Sequence, residues 1–123
     1  MAFGTFDILH PGHINFLKQA KKYGRLIVVI ARDKTVKQVK GRLPRYSEKQ
    51  RLKAVLSLNL ADNAVLGSLI DKYAAIKKYK PDIIALGYDQ NHFIDGLKNL
   101  KIKIVRLKSY KPHKYKTSIL KIK

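Results

Sequence analysis

Gly4-Thr5-Phe6-Asp7-Ile8-Leu9-His10-Pro11-Gly12-His13 joins a short apolar start, Met1-Ala2-Phe3, to an amphipathic run, Ile14-Asn15-Phe16-Leu17-Lys18-Gln19-Ala20-Lys21-Lys22-Tyr23. The order is that of a strand, a glycine turn and a helix N-terminus. The first amides of a helix lack partners inside it and its dipole end is positive, so such a junction is an anion site. Pro11 suits the first helical position, where a missing N–H costs nothing. His10 and His13, at i and i+3, fall on the same side of that terminus. A single histidine on a helix face is ordinarily a core or surface residue. Two in a first turn, behind a glycine turn at a strand's end, point to chemistry on a phosphate.

Beyond this junction the chain alternates strand and helix patterns. Gly24 stands where the first helix should stop. Residues 26–31 form a continuous apolar run between Arg25 and Arg32-Asp33, the pattern of a strand buried on both faces. Residues 34–45, lysine-rich with Gly41 and Pro44, read as a short helix plus loop. Ser47 and Gln50 match a capping box, and Leu52, Val55, Leu56 and Leu58 follow at helical spacing, with Asn59 as the close. A weak strand over 64–67 precedes a helix over 71–79, stopped before Pro81. Residues 82–87 are a second buried strand, 91–100 a partial helix, 101–107 an edge strand with alternating cations, and 117–123 a last helical turn. The expected fold is α/β: one Rossmann-like, doubly wound parallel sheet of about five strands flanked by helices, a single domain over 1–123.

Composition narrows the function classes. The 123 residues carry a formal charge of +19, with 27 Lys or Arg against 8 Asp or Glu, and no cysteine. Disulfides and thiolate metal sites are excluded. No apolar run approaches the roughly 20 residues of a spanning helix and no secretory pattern opens the chain, so a cytoplasmic protein without membrane association is expected. The positive charge is spread through every segment and suits an anionic small substrate. Residues 98–123 hold ten Lys or Arg and no acid, but only Tyr110 and Tyr115 interleave them, so nucleic acid is at most a non-specific partner.

The segment GTFDILHPGH resembles the nucleotidylyltransferase superfamily motif, a Gly-Thr/Ser-Phe-Asp turn followed by His-x-Gly-His. The resemblance implies that His10 and His13 contact nucleotide phosphates and stabilise transfer at the α-phosphorus. It further implies that Gly4, Thr5, Phe6, Pro11 and Gly12 lie against the nucleotide, with helix-terminal amides cradling the phosphates. Relatives usually carry more residues before the Gly-Thr turn, so the first strand reads as trimmed or its start as incomplete. Glu48-x-x-Arg51 is similar to the superfamily's helix start and makes Arg51 a catalytic candidate; the alternative is an arginine on a solvated face. Asp33, Lys37 and Lys40, after the second strand, become candidate phosphate or acceptor contacts. Asp89 matches an acid that binds ribose hydroxyls or a base amine. Tyr88 and Tyr110 read as rim packing or as stacking partners for a base or an isoalloxazine ring. Thr117 and Ser118 resemble a Ser/Thr-rich helix start that closes over the triphosphate.

These matches imply attack by an acceptor phosphate on the α-phosphorus of a nucleoside triphosphate, with pyrophosphate released. Mg²⁺ or another divalent cation is implied, bound mainly through the triphosphate; Asp7 would orient it only indirectly, and no residue is assigned as a metal ligand. GTFDILHPGH, residues 31–36 and residues 81–90 look most like the archaeal FAD synthases, which implies ATP and FMN as substrates. Where the bacterial glycerol-3-phosphate cytidylyltransferases tend to carry Gly-Asp-Asp-Trp, this chain has Gly87-Tyr88-Asp89-Gln90. CTP with a polyol phosphate is the alternative, and a non-catalytic basic nucleotide- or nucleic-acid-binding protein a distant one. A homodimer is compatible with all three.

Overall fold

Parallel strands buried on both faces need apolar residues at consecutive positions, and two runs here supply them: β2 (Ile27–Ile30) and β4 (Ile83–Leu86). The computed structural model describes residues 1–71, 73–87 and 102–107. In chain order its elements are β1 (Ala2–Gly4), α1 (Pro11–Lys21), β2, α2 (Asp33–Lys40), α3 (Glu48–Ser57), β3 (Asn63–Leu66), α4 (Ala74–Tyr79), β4 and β5 (Lys103–Arg106). They form a five-stranded sheet of order β3-β2-β1-β4-β5. Every pairing is parallel, with Phe3 opposite Val29, Val28 opposite Ala64, Ala2 opposite Ala85 and Ala85 opposite Val105.

Period-two alternation sorts the strand residues to opposite faces. Ala2, Val28, Ile30, Ala64 and Ala85 join Leu17 and Ala20 of α1 and Val55 of α3 in one cluster. Met1, Val29, Ile84 and Leu86 meet Ile76 of α4 on the other. Helices therefore cover both faces, as the doubly wound reading requires. The chain leaves β1 for β2 on one side and, later, crosses to β4 on the other. That reversal makes the carboxyl ends of β1 and β4 the crevice of the sheet.

Local signals set most boundaries. Ser47 Oγ accepts from the Gln50 amide and Gln50 Oε1 from the Ser47 amide, completing the capping box. Gly41 ends α2 in the left-handed region, its amide donating to the Lys37 carbonyl. The helix expected over 71–79 starts only at Ala74, because Asp71 spends its carboxylate on the Tyr73 amide and on Lys77. The helices expected over 91–100 and 117–123 lie outside the described residues. No described helix is long and apolar enough to cross a membrane.

Arg51 is 1% exposed and departs from the reading of a solvated helix face. Its Nε donates to the Tyr46 carbonyl at 3.0 Å and one terminal nitrogen to the Thr5 carbonyl at 2.9 Å. The other pairs with Asp33 at 2.7 Å. One side chain thus ties together the exit of β1, the start of α2 and the start of α3. Arg51→Met removes a buried cation and leaves the Asp33 carboxylate and two carbonyls unpaired. It should cost about 3–5 kcal/mol in chemical denaturation, whereas Arg25→Met, on an exposed side chain, should move the midpoint little.

Candidate active site

The turn after β1 is strained and held from three directions. Phe6 has φ +52°, unusual for a bulky residue, yet its ring is only 3% exposed. The ring covers Gly4 so closely that a Cβ there would lie 2.6 Å from it. It meets His13 edge-on with centroids 5.4 Å apart and Phe16 at 6.4 Å. Gly4 is therefore required by the aromatic ring above it, and that ring is the floor of the histidine site. The side chain of Phe6 belongs to the core.

His10 and His13 come together as expected, with ring centroids 3.9 Å apart and planes at 32°. His10 is also the N-cap of α1: its Nδ1 accepts the Gly12 amide at 3.0 Å. Nδ1 is thereby an acceptor, which puts the proton of the neutral ring on Nε2. The cap corrects the expectation of an amide cradle. Pro11 has no N–H, the Gly12 amide is taken by His10, and the His13 amide bonds to the His10 carbonyl. A side chain that caps its own helix leaves the first turn few free donors. Anion recognition here rests on imidazoles, nearby cations and the helix dipole. His13 Nδ1 is buried without a hydrogen-bond partner among the described residues, a condition concentrated at functional sites. Burial first, then the charge of His10, depresses the His13 pKa; the Ile8 carbonyl opposes this and Lys40 adds to it.

The turn that leads into the pair also lines a cleft of about 320 Å³, through Thr5, Asp7 and Ile8, with Val36 and Lys40 of α2 and residues 42–45. Neither histidine lines it, but the charge of Lys40 reaches His13. Asp7 fastens its two walls together. Its carboxylate oxygens accept the Arg45 amide at 2.8 Å and the Tyr46 amide at 2.9 Å. Partial burial disfavours its charge, but those bonds and the charges of Arg51 and Lys40 outweigh this and hold the carboxyl below its ordinary range. Lys40 lines the cleft and Lys37 does not. Asp33 sits behind, engaged by Arg51, while Glu48 accepts the Asp33 amide and pairs with Arg32 at 2.8 Å. The sequence reading passed over Arg42, Leu43 and Arg45; the signal was Gly41 and Pro44 bracketing a basic stretch between two helices. Tyr88, Asp89, Gln90, Tyr110, Thr117 and Ser118 lie outside the described residues. Among those described, no cluster of three or more metal-ligating side chains exists.

The cytidylyltransferase-like family model matches residues 1–122. An FAD synthase of Methanothermobacter marburgensis is 52% identical over 103 residues, covering 80% of this chain and 63% of that protein, so the chain spans less than two thirds of that relative. An FAD synthase of Methanothermus fervidus is 47% identical over 121 residues, covering 90% of this chain and 83% of its own. The crystal structure of the lipopolysaccharide core biosynthesis protein from Thermoplasma volcanium GSS1 matches with a TM-score of 0.81 at 43% identity, covering 89% of this chain and 95% of that one.

Two outcomes follow from the turn. Gly4→Ala forces the Phe6 ring off its seat and should cost about 1–3 kcal/mol while perturbing the His13 resonances by NMR; Gly24→Ala, in open space but strained by its φ of +128°, should lose stability while leaving His13 unmoved. His13 has a folded pKa below its ordinary value of 6.5, so as pH falls the unfolded chain takes up that proton first. Stability is full above about pH 6.5 and declines below it until the depressed folded pKa is reached. The carboxyls of Asp7 and Glu48, also depressed, lose their contribution only in the more acidic range below about pH 4.5. Thermal melts should show the first decline, and His13→Gln should flatten it while leaving the second.

Proposed function

The chain belongs to the cytidylyltransferase-like family, and from that premise we propose that it transfers AMP from ATP to the phosphate of FMN, giving FAD and pyrophosphate. The observation that carries this reading is the stacked His10–His13 pair at the sheet crevice, opening beside a cationic cleft. Identity of 47–52% to archaeal FAD synthases supports the choice of substrates. A phosphate oxygen of FMN attacks the α-phosphorus of ATP. The bond from that phosphorus to the bridging oxygen breaks, and pyrophosphate leaves with the electron pair.

The site works by position and charge. His10, with Nδ1 fixed as the cap acceptor, directs Nε2–H toward the α-phosphoryl oxygens. Burial disfavours the protonated form of His13 when the site is empty, and an anion beside it favours that doubly donating form. Charge on His13 thus builds as charge builds on the phosphoryl group. Lys40, Arg42 and Arg45 supply further positive charge at the cleft. Arg51 acts as a positioning residue, keeping the strand exits and the α3 start in register.

A divalent cation such as Mg²⁺ is part of the proposal and would be bound through the triphosphate oxygens and its own waters. Asp7 has both oxygens occupied by amides and Asp33 faces Arg51, so the described carboxylates make no cage and no step here runs through the metal. When bound, the cation would neutralise triphosphate charge.

The test is to incubate the protein with Mg²⁺ and each pairing of ATP or CTP with FMN or glycerol 3-phosphate, then resolve the products. FAD from ATP and FMN is expected; a CDP-polyol would replace this reading with cytidylyl transfer. His10→Ala and His13→Ala should each lower turnover by roughly 10²-fold or more, and unchanged turnover in both would remove them from the mechanism.

A further inference from the structure

The cleft beside the histidine pair has two chemically different sides. Ile8, Val36, Leu43 and Pro44 give it an apolar wall, while Lys40, Arg42 and Arg45 give it a cationic rim. Ile8 and Leu43 are 50% and 60% exposed and stand together on this one wall. Asp7 clamps Arg45 and Tyr46 by their amides, so the wall is a held surface and not a loose loop. Both Asp7 oxygens are occupied by amides, so this carboxylate is already engaged on the apolar side. An apolar wall beside clustered cations complements a molecule with a flat apolar ring at one end and a phosphate at the other.

We propose that this cleft is the acceptor subsite and that Leu43 and Ile8 are its specificity-determining residues, receiving the flavin ring of FMN while Lys40, Arg42 and Arg45 draw its phosphate toward the histidine pair. The proposal rests on the FMN-adenylylating reading and adds to it the place and the means of selection. Burying the two exposed aliphatic side chains against a ring favours a flavin over a polyol phosphate, which has no apolar face to offer. Cations around the phosphate end contribute to both acceptors alike, so discrimination falls to the wall.

The experiment uses the full chain and two substitutions of exposed positions, Leu43→Asp and Ile8→Asp, with Leu43→Met as the conservative variant. Flavin fluorescence titration reports FMN binding without turnover, steady-state assays report KM for FMN and for ATP, and thermal melts report folding. Expected are a rise of about tenfold or more in Kd and KM for FMN in both Asp variants, recovery in Leu43→Met, and KM for ATP within about twofold of the parent. Binding of ribitol 5-phosphate, which keeps the polyol phosphate and lacks the ring, should be weak and the same in all variants. FMN binding unchanged in folded Leu43→Asp and Ile8→Asp overturns the subsite while leaving FAD formation intact. If the parent makes no FAD from ATP and FMN, the broader reading fails. The titration still decides the subsite in that case: Leu43-dependent flavin binding supports it, and its absence overturns it.

Discussion

The guanidinium of Arg51 is the constraint on which the site depends. A cation removed from water is stable only with close partners, and this one has the Thr5 carbonyl, the Tyr46 carbonyl and the Asp33 carboxylate. These belong to three segments, of which two, at Thr5 and Asp33, are distant from Arg51 in sequence. Tertiary folding that satisfies Arg51 must therefore bring the β1 exit, the α2 start and the α3 start to one place. The histidine turn and the basic loop are then neighbours as a consequence. Asp7 repeats the device on the surface, with a carboxylate bound to two amides of the facing loop.

On that frame sits a turn that stores strain. Phe6 keeps a left-handed backbone because its ring is captured between Gly4, His13 and Phe16. The same ring sets the depth and tilt of His13. Burial disfavours the charged form of His13 and leaves its Nδ1 without a hydrogen-bond partner among the described residues. Lysines and arginines dominate the surroundings, and the two nearest carboxylates are spent on structure. The positive excess of the whole chain thus has a local expression at this cleft, where a phosphate would meet cations and few free anions.

Much of this was legible in residues 4–13. Glycine, proline and the i, i+3 histidines carry their meaning locally, through turn geometry and helix termini, and Ser47 with Gln50 announces α3 in the same way. The two long apolar runs identify buried strands because only a sheet covered on both faces tolerates them. Less was legible where meaning depends on a distant partner. Arg51 reads as a catalytic candidate or as an arginine on a solvated helix face, and nothing in that sequence says that Asp33 and two carbonyls await it. His10 reads as a phosphate ligand alone, since a histidine is not among the usual capping residues.

The sequence by itself determined the strand-turn-helix junction and the doubly wound sheet, because those follow from periodicity, caps and the residue types at one helix start; the kind of chemistry came from the resemblance that GTFDILHPGH carries. Only the tertiary structure decided which lysine reaches the site, that Arg51 is a buried strut, and that Leu43 and Ile8 share a wall. Most of those are contacts between residues distant in sequence, and such contacts exist only once parallel strands and their crossovers place the strand ends side by side.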